Sequence, residues 1–298
     1  MPLTRLSLNG LVLNKSTTVL GAGDLFTTGK VFYVDGTLGS NGNLGTDPGQ
    51  PLASINQATL SARANKGDIV VINPGYTQTV TAAAGLAMNK AGVNYMGIGE
   101  GTLRPTITYT TAVAASTNVT AGNLTIQNLL FVTAIDNQTA MINVSASDVT
   151  FLNCELTTNT ATVGAALGIL TAATADRFAV IGSRFIGTAT NSGTTTTAQI
   201  DHESGVDYVI RDSYFTGKMT QSITNTATIL RGLIHNNVFV VGTGTKAINM
   251  AAASTPMITN NRMNVASGTA PIVAAAGFVA GNIYSAAAGV TAGTASTI

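Results

Sequence analysis

Seven six-residue stretches share one pattern of apolar and polar positions: IQNLLF from 126, FLNCEL from 151, VIGSRF from 180, IRDSYF from 210, IHNNVF from 234, ITNNRM from 258 and VAGNIY from 279. Position one is apolar throughout (Ile126, Phe151, Val180, Ile210, Ile234, Ile258, Val279). Position six is large and mostly apolar (Phe131, Leu156, Phe185, Phe215, Phe239, Met263, Tyr284). Position three is Asn, Asp or Gly in every copy: Asn128, Asn153, Gly182, Asp212, Asn236, Asn260 and Gly281. Position four runs from Leu129 and Cys154 through Ser183 and Ser213 to Asn237, Asn261 and Asn282, while positions two and five are unrestricted.

Residues five apart in a straight strand point to opposite faces. Positions one and six are both apolar, so the chain is expected to bend between them. Asn, Asp and Gly tolerate the left-handed backbone conformation and supply that bend at position three. Each hexad therefore predicts a strand, a sharp corner and a second strand, with both apolar residues in one core. The hexads recur every 21 to 30 residues, the size of one rung of a parallel β-solenoid. Rungs stack about 4.8 Å apart. This predicts an asparagine ladder from Asn237, Asn261 and Asn282 and an aromatic stack from Phe185, Phe215 and Phe239. Longer coils carry inserts such as TATNSGTTTT at 188–197, expected to protrude as a loop.

Upstream, residues 51–64 place Ile55, Ala58, Thr59 and Ala62 at helical spacing, and Gly67 and Asp68 then open a strand, IVVINPG. A short amphipathic helix here would cover the open end of a solenoid core, which is otherwise an exposed edge.

These residues carry a family resemblance. Tyr33-Val34, a Gly/Asn/Asp-rich loop, Gly49-x-Pro51-Leu52-Ala53-Ser54-Ile55, Gly67-Asp68-Ile69-Val70-Val71 and Pro74-Gly75-Tyr76 resemble the opening segment of pectin-lyase-like right-handed parallel β-helix proteins. GVNYMGIGEGTLRPTI at 92–107 is similar to the next coil of that family, and the hexads extend the likeness almost to the C-terminus. The resemblance implies an all-β, right-handed parallel β-helix with a short N-terminal capping helix. It implies no activity, because the fold hosts lyases, hydrolases, epimerases, adhesins and phage virion proteins. The expected organisation is an N-terminal attachment arm at 1–31, with LSLNGLVLN alternating as a strand would. An opening segment with the capping helix follows at 32–80, and β-helix coils at 81–298.

Composition narrows the function. Charged residues are only 9% of the chain, where an average soluble domain has about 25%, and the formal net charge is +1 with no polybasic tract. Phosphate neutralisation on nucleic acid is not expected. The single cysteine, Cys154, allows no internal disulfide and falls in the position-four ladder as a small interior residue. The N-terminus lacks the apolar run of a signal peptide, so synthesis in a host cytoplasm is expected. The apolar stretch at 271–290 contains a hexad and is not read as a membrane span. NVT at 118, NQT at 137 and NVS at 143 are formal glycosylation acceptors, read as accidents of a Thr/Asn-rich chain. GIGEG at 97–101 resembles part of a phosphate-cradling loop but lies in a β-coil with no following helix.

Enzymes of the resembled family rely on carboxylates and basic residues on one outer face. This chain has ten Asp and three Glu, and one dense cluster, QIDHESGVDYVIRD, with Asp201, His202, Glu203, Asp207, Arg211 and Asp212. Paired carboxylates beside a His and an Arg suit acid–base work on a glycan or a cation site. Against this, Asp212 is a hexad corner, and Arg211 and His235 share position two one coil apart. The cluster is therefore read as a solvated polar turn, with no catalytic, cofactor or metal residues assigned and no cofactor. Trp, the usual sugar-stacking residue, is absent.

The expectation is a non-enzymatic structural protein of a phage virion, a capsid cement or decoration protein on the capsid exterior. Its partners would be the major capsid protein and two further copies of itself in a homotrimer, with neither nucleic acid nor membrane. The alternative is a tailspike or fibre that binds or cleaves a host surface glycan.

Overall fold

A computed structural model describes residues 6–8, 11–13, 27–159, 163–187, 197–203, 205–217, 219–241, 246–251, 253–265, 271–274 and 276–286. The chain winds into a right-handed parallel β-helix of about eight turns with three sheets. The first sheet collects the strand before each corner, from Val31–Val34, Ile69–Ile72 and Asn94–Gly97 to Thr255–Thr259 and Phe278–Ala280. The second collects the strand after it, from Thr77–Val80 to Ile283–Ala286. The third runs from Leu86–Met88 to Ile272–Val273 and closes each coil.

The hexad register is the register of the sheets. Position one pairs with position one from Ile126 to Val279. Position six pairs with position six from Phe131 to Tyr284. These residues are buried, except for partly buried Val279 and Tyr284 in the last coil. All seven position-three residues have positive φ, between 51° and 65°. Asn236 also donates from Nδ2 to Asp212 Oδ1 at 2.7 Å. Replacing it with valine should cost about 2 kcal/mol, because a Cβ-bearing residue other than Asn or Asp pays about 1–2 kcal/mol in this conformation and the hydrogen bond is lost. Asn236→Gly loses the same hydrogen bond but escapes the backbone penalty, so it should cost about 1 kcal/mol. Urea titration of both variants checks this; equal costs would mean that the corner does not set the preference.

Position four forms a directed ladder. Each backbone N–H donates to the side-chain oxygen one coil later: Cys154 to Ser183, Ser183 to Ser213, Ser213 to Asn237, Asn237 to Asn261 and Asn261 to Asn282, at 2.9–3.1 Å. The asparagine amides also donate back to the position-one carbonyls of Ile210, Ile234 and Ile258. Phe185, Phe215 and Phe239 stack with ring centroids 4.8 Å apart and planes at 10°. Cys154 is buried, and desolvation pushes its thiol up to about 11.

The capping helix spans Ile55–Ser61, with Ser54 accepting from Gln57 N. Ile55, Ala58, Thr59 and Ala62 are buried against the first coils. The arm differs from the single strand expected: Leu6–Leu8 and Leu11–Leu13 pair antiparallel as a hairpin. Asn-Gly between two alternating runs is a strong hairpin signal, and Asn9-Gly10 interrupts this one. The first strand of the solenoid begins at Val31. The rest of the arm before Thr27, and the insert at 188–197 except Thr197, lie outside the described residues. Among the described residues no helix is long and apolar enough to cross a membrane.

Candidate functional site

The acidic cluster begins on the third sheet, not in a turn. A row of isoleucines, Ile142, Ile169, Ile200, Ile223, Ile248 and Ile272, runs through that sheet in register. It fixes Ala198–His202 as a strand in which all five residues are buried. The solvated-turn reading is therefore corrected for Asp201 and His202, which are 9% and 0% exposed. Burial won because Ile200 must join the isoleucine row, and its neighbours go with it.

Asp201 lies in register between Leu170 and Thr224. Thr224 commits its hydroxyl to Asn249 O at 3.0 Å. Oδ1 of Asp201 has no hydrogen-bond partner. Burial raises its carboxyl above the usual range, and the nearby Glu203 charge raises it further. Gln199 donates from Nε2 to Phe185 O and Thr216 O at 3.2 and 2.9 Å, bracing the third sheet against the second. A cleft of about 40 Å³ lies beside it, lined in part by Gln199, Gly187, Met219 and Thr158. That is room for a water or two, not for a sugar ring.

His202 faces the core. Its Nδ1 meets the Thr171 hydroxyl, and its Nε2 has no partner. The ring stacks on Phe178 at 5.6 Å and lies tilted at 5.0 Å from Tyr208. Desolvation lowers its pKa to about 4, against the opposing pull of Asp176, so it is neutral at pH 7.

The other cluster members go elsewhere. Glu203 is exposed. Asp207 pairs with Arg231 at 2.7 and 2.9 Å, and Arg211 with Asp212 at 2.5 Å. Arg211 and His235 are register neighbours, as position two requires. The structure thus separates the six residues into a buried carboxylate, a core histidine, an exposed Glu203 and two surface ion pairs. No group of three His, Cys, Asp or Glu side chains placed to hold a metal occurs among the described residues.

Sequence reasoning missed a second corner. Three residues before the inward residue of seven consecutive first-sheet strands, from Ile69–Ile72 to Ile229–His235, Gly67, Gly92, Asn123, Asp148, Arg177, Asp207 and Arg231 all have positive φ. The charged ones link in pairs across coils: Asp148 with Arg177 at 2.6 Å and Asp207 with Arg231 at 2.7 Å. The Gly, Asn and Asp members were legible as turn formers; the two arginines were not.

A larger cavity of about 350 Å³ lies near the N-terminal end, lined by Asp35, Thr37, Leu38, Pro74, Tyr76 and Thr77 among others. Its one carboxylate, Asp35, already accepts from the Leu38 and Thr37 amides and from Asn73 Nδ2, which hold its pKa below the ordinary value.

No family model and no curated protein matches this sequence. Solved structures do. A pectate lyase, Pel9A, superposes with a TM-score of 0.54 at 13% identity, over 89% of this chain and 72% of that one. A rhamnogalacturonan lyase gives 0.49 at 12% identity, over 85% and 87%. A GH136 lacto-N-biosidase from Eubacterium ramulus gives 0.40 at 10%, over 84% and 68%. The pectate lyase likeness defines the class: the chain has the pectin-lyase-like parallel β-helix fold. At these identities the likeness extends to fold alone, and the chemistry of this chain rests on its own residues.

Proposed function

We propose that this chain is a non-enzymatic structural protein of a phage virion, a capsid cement or decoration protein that stands on the shell as a homotrimer, with residues 1–31 as its attachment arm. The observation that carries the reading is the deployment of its charges. Arg104, Arg177, Arg184 and Arg231 are each tied to a carboxylate of another coil, while Arg63 pairs with Asp68 just after the capping helix and Arg211 with its neighbour Asp212. The first four hold coils together, and all six are engaged by a carboxylate and not free to act as a base on a substrate. The virion setting draws its support from the family resemblance of residues 33–78 and from the low surface charge, which suits packing against other protein.

A second reading, a tailspike or fibre that binds or cleaves a surface glycan, is favoured by one observation: the unpartnered, near-buried Oδ1 of Asp201 with Glu203 two residues on. Asp201→Asn combined with Glu203→Gln separates the two. The structural reading expects the double variant to attach to shells as the parent does, and neither protein to depolymerise bacterial polysaccharide. Turnover by the parent that the variant loses would select the second reading. Antibody-gold labelling of the particles that carry the protein should mark the shell, not the tail.

A further inference from the structure

The first sheet opens at Val31–Val34 and the second only one coil later, at Thr77–Val80. In the first coil, residues 35–38 turn where later coils lay a second-sheet strand. Gly39 N closes that turn on Asp35 O at 3.0 Å. The cavity of about 350 Å³ lies between this turn and residues 74–77. Its size is near the lower end for small-molecule sites, roughly 300–1,000 Å³.

Asp35 carries the one formal charge in the lining among the described residues, with no Lys, Arg or His beside it. The Leu38 amide, Asn73 Nδ2 and the Thr37 amide donate to its carboxyl and hold it below the usual carboxylate range, so it is ionised at pH 7. The Leu38 and Thr37 amides take Oδ1 at 2.9 and 2.8 Å, and Asn73 takes one site on Oδ2 at 3.1 Å. A carboxylate has about four lone-pair sites. One therefore remains open, on Oδ2. Thr37 and Thr77 also line the cavity, and neither hydroxyl makes a hydrogen bond among the described residues. The Tyr76 hydroxyl is committed to Gln78 Oε1 at 2.6 Å, so that residue offers its ring. Leu38, 77% exposed, adds an apolar wall.

These groups select among ligands. An anion would meet the Asp35 charge, and the Thr37 and Leu38 amides are already given to Oδ1. A guanidinium binds a carboxylate best as a fork across both oxygens, and only one oxygen here has an open site. A calcium or magnesium ion would draw most of its roughly six or more oxygens from water. An ammonium is a compact charge with three rotatable N–H donors, one for Oδ2 and two for the threonine oxygens. We propose that this cavity binds a primary alkylammonium group, with its nitrogen on Asp35 Oδ2 and the Thr37 and Thr77 hydroxyls and its alkyl stem along Leu38 and the Tyr76 ring. The ligand is a free amine or the side chain of a lysine in another chain, since both present the same chemistry. The site goes beyond the structural role proposed above and does not depend on it.

Amide nitrogen–proton spectra of the full chain test this, because the Thr37 and Leu38 amides donate to the carboxylate that the cation would engage. Titrated with n-butylammonium at pH 7, these two amides should shift together and saturate. Asp35→Asn can keep both amide bonds through its side-chain oxygen while removing the charge. It should weaken binding about ten-fold or more, the effect of losing a charge-assisted hydrogen bond. n-Butanol should bind the parent as poorly as the ammonium binds this variant, and n-butylguanidinium should bind more weakly than n-butylammonium. N-acetyl-lysine methylamide separates the sources: binding by it and by the free amine fits a lysine of a partner chain, and binding by the free amine alone fits a small-molecule site. Circular dichroism melts establish that Asp35→Asn folds. If it does not, Thr37→Val and Thr77→Val take its place, each expected to weaken binding severalfold. No saturable shift at Thr37 and Leu38, or unchanged affinity in the folded variants, would overturn the site. Equal binding of n-butanol would overturn the preference for a cation, and equal binding of n-butylguanidinium would overturn the single open site on Oδ2.

Discussion

Phe215→Ala should lower the unfolding free energy by about 3–5 kcal/mol, the range for a buried aromatic whose cavity cannot collapse. Phe215 is fully buried and has a ring on each side, Phe185 and Phe239, each centred 4.8 Å away. Those rings are fixed to separate strands whose spacing is set by backbone hydrogen bonds, so neither can move to fill the gap. Each stacked pair contributes about 0.5–1.5 kcal/mol beyond its buried area, and the substitution removes two pairs. Phe215→Leu should recover roughly half of the loss by refilling volume without restoring the stack. Guanidinium titrations of the three proteins supply the comparison. A cost below 1 kcal/mol for alanine would mean that the stack does not hold the coils.

The second large effect is a loss of stability in acid from His202. Its folded pKa of about 4 lies below the ordinary histidine value of 6.5, because burial penalises the imidazolium. Between those two values the unfolded chain binds a proton that the folded chain refuses. Stability is therefore fully present above about pH 6.5 and falls as the pH drops towards 4. One pKa unit is 1.36 kcal/mol, so the interval amounts to about 3 kcal/mol. His202→Gln should flatten this part of the profile. The ion-paired Asp148 and Asp207 have lowered pKa values, so their losses fall at lower pH and do not mimic it. Urea midpoints of parent and variant at pH 7 and pH 4.5 make the test. Parallel profiles would assign the acid sensitivity to other groups.

These two residues also mark how far the sequence could be read. Phe215 was legible because its hexad repeats the same solution seven times: Asn, Asp or Gly at the corner and apolar residues on either side. A requirement repeated once per coil with few permitted residue types leaves a visible period. His202 was not legible. The third sheet has its own repeat, an isoleucine per coil from Ile142 to Ile272, but its neighbours vary from Asn143 to Leu170 to Asp201. A strand reading Gln-Ile-Asp-His therefore resembles a turn. What makes the histidine acceptable inside is tertiary: the Thr171 hydroxyl and the rings of Phe178 and Tyr208 come from three other segments. Arg177 and Arg231 were hidden for a similar reason. Arginine is not a preferred left-handed residue, and each sits beside an aspartate from the preceding coil that sequence distance conceals. The candidate site was thus visible as a cluster of letters, while its division into core, sheet and surface followed from the coil geometry.

The position-four ladder gives the chain a direction in time. Every amide in it, from Cys154 to Asn261, waits for an oxygen that lies 21 to 30 residues further on. During synthesis the earlier coil emerges first, with its corner amide still bare. It becomes complete only when the next coil has left the ribosome. At about 5–20 residues per second, that delay is on the order of one to five seconds per coil, far longer than a hairpin needs to form. The growing solenoid would carry one unfinished corner at its leading end throughout translation, each new coil closing its predecessor and leaving its own corner open.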